Sequence, residues 1–250
     1  MKTLKTFVLA LFLSLIPIVT FAQDDQAFLI HQDQVKPGMV ETYEAISKEF
    51  NEECKKLDFK AAWSVAQMVN GKYLSITPIK NLGDIDNMSM AELSEKMGKE
   101  KFKSYFDRYN KCYDKHGSYV TILSNDLSYM PDGMSTTQEG MNYRKWHIIS
   151  VTPENRAKMA ENMKVVKDLF VSKKSKMHYR VYTNGFGQIG DSFIVVVSAK
   201  NELDMAQLSE ENRKLLGPES KAKFDAVFNL ASDYEEVTGG MRPDLSYSNK

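Results

Sequence analysis

The chain contains two copies of one ordered set of residues. The tetrapeptide Asp-Leu-Ser-Tyr at 126–129 recurs at 244–247, and Phe-Asp at 106–107 recurs at 224–225, each 118 positions later. Further residues recur 116 positions later: His31 as His147, Val35 as Val151, Pro37 as Pro153, and Trp63, conservatively, as Tyr179. Ordered matches at a nearly constant displacement indicate a tandem duplication, and each copy is long enough to form a small domain.

Both copies predict the same succession of elements. A part-apolar strand is followed by a proline that opens a helix, then by two strands, a second helical stretch and a last strand. The predicted ranges are 27–35, 61–69, 73–79, 91–113 and 120–129 in the first copy and 143–151, 177–183, 192–199, 205–231 and 234–247 in the second. In the second copy Gly217-Pro218 predicts a break in the helical stretch, and Gly239-Gly240 predicts an interruption of the last strand. The order in each copy is therefore β-α-β-β-α-β, which is the ferredoxin-like order.

Residues 1–22 have the features of a secretory signal peptide. Lys2 and Lys5 precede an apolar run, and the small residues before Gln23 predict cleavage near Ala22. The run is shorter than the ~20 residues that a spanning helix needs, which disfavours the alternative of an uncleaved anchor. We expect an exported protein, periplasmic or secreted, with no stable membrane span after cleavage.

The repeats and the signal peptide divide the chain into four parts. The signal peptide covers 1–22, the first repeat 23–130 and the second repeat 142–250. Residues 131–141 are rich in Gly, Ser and Thr and lack periodicity, so they are predicted to be a linker.

The composition excludes several classes of protein. The 33 Lys and Arg residues balance 33 Asp and Glu residues, so the formal net charge is zero, which argues against a nucleic-acid partner. Hydrophobic residues make up 42% and charged residues 26%, as in globular proteins with a core. Two cysteines are too few for a disulfide-dense scaffold or a four-cysteine zinc site.

With two βαββαβ units in one chain, the sequence resembles the dimeric α/β-barrel superfamily of ferredoxin-like proteins. That group includes the antibiotic-biosynthesis-monooxygenase-like, EthD-like and NIPSNAP-like domains and the haem-binding chlorite dismutase relatives. The resemblance implies an α+β fold in which the two repeats pack as an intramolecular barrel, as a monomeric pseudo-dimer or a homo-oligomer. No cofactor is predicted from the residues, and haem is implied by the superfamily alone.

Residues on the predicted strands are the candidates for a ligand site: His31, His147, Trp63, Tyr179, Arg180 and Tyr182. The two histidines are repeat-equivalent, so they would line one cavity if both faced inward, and imidazole suits proton transfer or ligation. Trp63 and Tyr179 are also equivalent, and aromatic groups mixed with a few polar ones suit an apolar ligand cavity. The alternative for all six is an ordinary packing role. No catalytic residue can be assigned.

The two cysteines occupy positions that are apolar in the other copy. Phe170 matches Cys54 and Leu230 matches Cys112, so both cysteines are predicted to face the core. Export would permit a disulfide between them, and the alternative is a pair of buried free thiols.

The remaining motifs do not identify chemistry. Residues 185–190 match G-x-G-x-x-G, but the strand-like residues at 192–197 follow where a dinucleotide site needs a helix, so the motif predicts a hairpin. No H-E-x-x-H or similar spacing is present, and no metal site is predicted. The favoured function is binding of a small, largely apolar molecule in the barrel cavity. The alternatives are a cofactor-independent monooxygenase-like enzyme and an envelope structural or interaction protein with a filled barrel.

Overall fold

The computed structural model describes residues 25–88 and 90–249. The predicted signal peptide lies outside these residues. The first half contains β1 (Gln26–Val35), α1 (Val40–Lys56), β2 (Ala62–Met68), β3 (Lys72–Ile79), α2 (Ala91–Met97), α3 (Lys99–Tyr109) and β4 (Tyr113–Tyr129). The second half contains β5 (Tyr143–Val151), α4 (Arg156–Lys173), β6 (Tyr179–Asn184), β7 (Asp191–Ala199), α5 (Glu202–Leu216), α6 (Glu219–Phe228), β8 (Ala231–Met241) and β9 (Tyr247–Ser248).

Eight antiparallel strands form a closed barrel in the order β1-β4-β6-β7-β5-β8-β2-β3, and β3 pairs back with β1. Each half contributes four neighbouring strands in the same relative order, β4-β1-β3-β2 in the first and β8-β5-β7-β6 in the second. The halves therefore meet at two seams, β4 with β6 and β2 with β8. The short β9 extends the sheet beside β2.

The β2–β8 seam is short and close-packed. It consists of three paired positions, in which residues 66–68 face residues 239–241. A Cβ atom built on Gly239 would lie 2.0 Å from the carbonyl oxygen of Gln67 and 2.8 Å from Cα of Met68. Glycine is required at this position because the two backbones approach too closely for any side chain.

A charged cluster reinforces this seam where the chain leaves β8. The guanidinium of Arg242 donates two hydrogen bonds to the carboxylate of Glu44 on α1 and one to Gln67 on β2. It also donates to Asp244, and Tyr73 on β3 donates to Glu44 at 2.6 Å. The cluster thus joins the end of the second half to a helix and two strands of the first.

The core is divided between the inside and the outside of the barrel. Residues such as Phe28, Leu123 and Trp146 fill part of the interior, where the two halves meet. On the outside, one cluster lies under the helices of the first half, including Ile46 of α1, and another lies under those of the second, including Met159 of α4. Both faces of the sheet are therefore apolar, one against side chains of the opposite half and the other against helices.

Several predicted boundaries differ from the observed ones. The helical stretch predicted at 91–113 is broken at Gly98, where φ is 88°. The break predicted in the stretch 205–231 near Gly217 is confirmed, and Gly217 has a φ of 73°. The strand predicted to begin at 120 begins at Tyr113, because β4 pairs with β1 as far as Val35. The strand predicted at 234–247 with an interruption at Gly239-Gly240 instead runs through both glycines, which pair with β5, and ends at Met241, where the chain turns toward β9.

The helices of the structure are short or carry charged residues on their exposed faces. Of those in the described ranges, none has both the length and the hydropathy that a transmembrane helix needs.

Candidate functional site

A cavity of about 490 Å³ lies inside the barrel. Alternation along the strands directs side chains from both halves into it, including Ile30, Ala66, Trp146 and Val196. Polar groups border the apolar surface, among them Gln32, Thr121, Arg144, Arg180, Tyr182 and Gln188. An apolar cavity with a few polar groups is typical of small-molecule sites.

Two arginines line this cavity from β5 and β6 of the second half, the two strands that flank β7. Arg144 lies on β5 and Arg180 on β6, and they are only 2% and 1% exposed. Within the part of the chain that the structure describes, neither guanidinium forms an ion pair with a carboxylate. Asp191, which also lines the cavity, pairs with Arg156 at 3.0 Å. Two buried like charges without an acidic partner are unusual, because burying an unpaired ion is costly.

The hydrogen bonds of the pair lead to the linker and to one serine. Arg180 donates from Nη1 to Ser198 Oγ at 2.8 Å and from Nε to the carbonyl oxygen of Ser135, while its Nη2 is buried without a hydrogen-bond partner. Arg144 donates to backbone carbonyl oxygens, including that of Thr136 at 3.2 Å. The linker residues 135–136 therefore close over the pair, but their neutral carbonyl groups do not compensate its charge.

Burial and mutual repulsion act on the charges of this site. Burial, with a smaller contribution from the nearby Arg180, lowers the pKa of Arg144 to about 10. Burial also lowers the pKa of Arg180 and raises that of Tyr182, although the two arginines act against the rise at Tyr182. Arg144 still carries a proton at neutral pH, so the cavity contains positive charge in apolar surroundings.

The structure separates the six residues that the sequence suggested for a ligand site. Arg180 and Tyr182 point into the barrel cavity. The other four lie on the outer face of the sheet: His31, His147, Trp63 and Tyr179. Side chains alternate between the two faces along β2 and β6, which places Trp63 and Tyr179 on equivalent faces, but that face is directed at the helices.

His147 and Tyr179 line a second cavity, of about 300 Å³, between the sheet and the helices of the second half. His147 Nδ1 lies 2.7 Å from the Tyr234 hydroxyl, which donates to Glu236 at 3.3 Å. Burial lowers the pKa of His147, so the imidazole is neutral at neutral pH. The two predicted histidines do not share a cavity.

Trp63 and the cysteines belong to the outer core of the first half. The Trp63 ring stacks on Tyr247 of β9, with 4.7 Å between the ring centroids. Cys54 and Cys112 are both buried in this core as free thiols, and burial raises the pKa of Cys54 to about 12. The disulfide between them stays a prediction.

Arg144 and Trp146 are cavity residues that the sequence did not suggest. Both lie on β5 at alternate positions, on the face opposite to His147. The signal available in the sequence was an arginine two positions before a tryptophan within a strand. Because the sequence does not show which face of the strand lies inside the barrel, the same pattern is equally expected of an arginine that is exposed to solvent.

The two cavities differ in the groups that they offer to a haem, the cofactor expected from the sequence resemblance alone. The lining of the barrel cavity contains arginines, which suit propionate groups, but neither histidine nor cysteine to bind iron. The lining of the outer cavity contains His147 but neither arginine nor lysine. Among the described residues that line them, neither cavity combines a histidine or cysteine with cationic partners for the propionates, so a histidine- or thiolate-ligated haem does not fit either one.

No protein-family model matches the chain, and no curated protein sequence does. Solved structures with similar folds include a candidate monooxygenase from Lactobacillus acidophilus NCFM, with a TM-score of 0.54 and 9% identity over 90% of this chain and 97% of that one. An anthrone oxidase-like protein has a TM-score of 0.57 and 10% identity over 91% and 94%. A mutant chlorite dismutase from Candidatus Nitrospira defluvii has a TM-score of 0.52 and 10% identity over 87% and 92%. At these identities the likeness concerns the fold alone: a closed eight-stranded α+β barrel similar to those of dimeric α/β-barrel proteins.

Proposed function

We propose that the barrel cavity binds a small, largely apolar molecule that carries an anionic group. The observation that carries this proposal is the pair Arg144 and Arg180, two buried cations without acidic partners at an apolar cavity. Arg180 Nη2 adds a buried donor without a partner. A carboxylate or phenolate oxygen beside this nitrogen would form a charge-assisted hydrogen bond and offset the repulsion between the two arginines.

The apolar part of the cavity limits the rest of the ligand. Its volume of about 490 Å³ is that of a site for a small organic molecule, and the indole of Trp146 offers an aromatic surface. The open volume also argues against the alternative of a barrel filled by its own side chains. We expect a ligand with one or two rings or a branched aliphatic body, with its acidic group directed at the linker.

Matched anionic and neutral ligands test the proposal. The mature chain is titrated calorimetrically with benzoate, 2-naphthoate and octanoate and with the corresponding amides, which keep the shape but lack the charge. We expect the carboxylates to bind more tightly than their amides. Removing one buried charge partner costs about 2–5 kcal/mol, so Arg180→Met is expected to weaken carboxylate binding at least about 30-fold.

Arg213→Met is the matched control, because Arg213 is an exposed arginine that pairs with Glu210 on the same helix. It should leave all affinities unchanged. If acids and amides bind with equal affinity, or if the two arginine variants change the affinity equally, the proposal that the ligand carries an anionic group is wrong. Absence of binding by every acid and amide, together with a mass free of any bound molecule for protein from an exporting host, would contradict ligand binding itself.

A cofactor-independent monooxygenase-like activity is the second candidate. It is favoured by the arrangement of Arg180 and Tyr182, which would hold a deprotonated substrate oxygen beside a guanidinium that is only 1% exposed. The names of two similar structures, a candidate monooxygenase and an anthrone oxidase-like protein, point in the same direction. The test is oxygen uptake by the metal-free protein with anthrone as the substrate. We expect uptake to be lost in Arg180→Met, and absence of uptake by the unaltered protein would leave binding as the function.

We further propose that the chain is exported after cleavage near Ala22 and consists of two ferredoxin-like repeats, 23–130 and 142–250. The identical strand order in the two halves supports the repeats. The mass of the protein recovered from an exporting host tests the cleavage, since a mature chain should begin at Gln23. Native mass spectrometry of the same sample distinguishes a monomeric pseudo-dimer from a homo-oligomer.

A further inference from the structure

Three potential metal ligands converge on the outer face of the first half. His31 and Asp33 are two positions apart on β1, so their side chains share a face. The antiparallel register with β4 places His116 directly opposite Asp33. One ligand atom from each of the three residues lies within 4.8 Å of the others, and the two imidazole rings are 5.7 Å apart.

Neighbouring groups already orient two of these side chains. His31 Nδ1 lies 2.9 Å from Ser118 Oγ, which leaves Nε2 facing Asp33 Oδ1 at 3.3 Å. The hydroxyl of Tyr43 donates to the other carboxylate oxygen of Asp33, Oδ2, at 2.7 Å. Metal-binding histidines and carboxylates are typically held in this way, through the atom that does not bind the ion.

One oxygen of this group is buried without a hydrogen bond. Asp33 is 6% exposed, and its Oδ1 has no hydrogen-bond partner. His31 Nε2 lies 3.3 Å from this oxygen but does not form a hydrogen bond with it. Because a buried carboxylate oxygen without a hydrogen bond is costly, a cation at this point would stabilise the local structure. His116 is exposed and His31 partly so, which gives an ion a route to the carboxylate.

We infer that His31, Asp33 and His116 form a binding site for a divalent transition-metal ion of the zinc type. Two imidazoles and one carboxylate suit Zn²⁺ or Fe²⁺ rather than Ca²⁺ or Mg²⁺, which prefer oxygen ligands. An ion at about 2.0–2.2 Å from each ligand atom would hold pairs of them about 3.4 Å apart. His31 and Asp33 already have this spacing, and the exposed His116 ring, whose ligand atom lies within 4.8 Å of theirs, must move inward by at most about 1.4 Å. Water completes the coordination on the open side.

The corresponding positions of the second half lack two of the three ligands. His147 matches His31, but Ile149 stands in place of Asp33 and Tyr234 in place of His116. The inferred site therefore belongs to the first half alone. It lies on the opposite face of the sheet from the barrel cavity and does not depend on the function proposed for that cavity.

Zinc titration of the untagged, chelator-treated mature protein tests the inference. We expect one Zn²⁺ per chain by calorimetry, and Co²⁺ as a probe should give visible absorption without thiolate charge-transfer bands, because both cysteines are buried elsewhere. His116→Ala and His31→Ala should each weaken zinc binding at least about tenfold. His147→Ala, which removes the equivalent histidine of the other half, should leave it unchanged.

His116→Ala is the decisive variant because the side chain is exposed and its removal should not affect folding, which circular dichroism checks. Zinc should also raise the melting temperature of the unaltered protein and of His147→Ala, but not that of His116→Ala. The inference is overturned if no one-to-one binding is detected, or if His116→Ala and His147→Ala bind zinc equally.

Discussion

Glu44→Gln is expected to destabilise the protein by about 2 kcal/mol, although it removes only a charge. Arg242 Nη2 donates to Glu44 Oε2 at 2.6 Å, and Nη1 donates to the other oxygen, so the pair is bidentate. The side chains of Glu44 and Arg242 are 18% and 22% exposed. Both side chains lie at the seam between β2 and β8, so losing their ion pair should weaken the contact that closes the barrel.

The magnitude follows from burial. Two unit charges about 4 Å apart attract by about 4 kcal/mol at the effective dielectric constant of ~20 that applies near a protein surface, and by about 1 kcal/mol in water. Desolvation of the two groups offsets part of this gain, and glutamine keeps one acceptor for Arg242 or Tyr73. A loss of about 2 kcal/mol in a chain of this size lowers the melting temperature by about 4–8 °C.

Glu49→Gln is the matched control. Arg108 also holds Glu49 in a bidentate pair, at 2.6 and 3.1 Å, but these side chains are 44% and 50% exposed. An exposed pair contributes little, so this variant should lose at most about 0.5 kcal/mol. Urea unfolding at neutral pH measures both values. Equal losses in the two variants would refute the argument from burial, as would an unchanged stability of Glu44→Gln.

Three further predictions concern the packing of the β2–β8 seam, the stability of the protein in acid and the reactivity of the cysteine thiols. Gly239→Ala should lose about 3 kcal/mol of unfolding free energy in urea, since its Cβ would overlap the backbone of β2. Hydrogen bonding from Arg242 lowers the pKa of Asp244 to about 2. The carboxylate therefore stabilises the folded protein above the pKa that Asp244 has in the unfolded chain, and this contribution is lost as the pH falls from about 4 to 2. Thermal melts across this pH range measure the loss of stability. Native protein should resist iodoacetamide at Cys54, whose thiol is buried with its pKa raised to about 12. After denaturation without reductant, the exported protein should show no free thiol if Cys54 and Cys112 are bridged, and two titratable thiols would exclude the bridge.

Controls exist for the first two of these predictions. Gly117→Ala also places a methyl group on a strand, but nothing lies within 4 Å of the added atom, so its stability should stay close to that of the unaltered protein. Equal losses for the two glycine variants would contradict the close approach at the seam. In Asp244→Asn the melting temperature should fall less between pH 4 and 2 than in the unaltered protein. An equal fall in both proteins would show that other carboxylates cause the loss of stability in acid.

Local signals in the sequence were sufficient for most of the strands and for the turns between them. Asn70-Gly71 is a dipeptide typical of hairpin turns, and it joins β2 to β3 with the positive φ of 84° at Gly71 that such a turn requires. The G-x-G-x-x-G motif at 185–190 was correctly predicted to be a hairpin between β6 and β7. Hairpin register and alternation depend on neighbouring residues, which is why they can be predicted from sequence.

The assignment of faces could not be predicted in the same way. Alternation shows which residues share a face, but in this barrel both faces are apolar, so hydrophobicity does not distinguish inside from outside. Trp63 and Tyr179 were therefore predicted to line the cavity although they face the helices. Arg144 lines the cavity but was not predicted to do so. His116 was missed because β4 begins at Tyr113, and only pairing with β1 reveals that the strand extends so far.

One covalent chain supplies both walls of the barrel, and this removes a restriction that a barrel made of two identical subunits would face. In such a dimer, any charge placed on one wall must also appear on the other. Here Arg144 of β5 corresponds to Phe28 of β1, and Arg180 of β6 corresponds to Ser64 of β2. The cavity can therefore be polar on one side and apolar on the other. Because the linker keeps the two halves together, this asymmetric interior forms at any protein concentration.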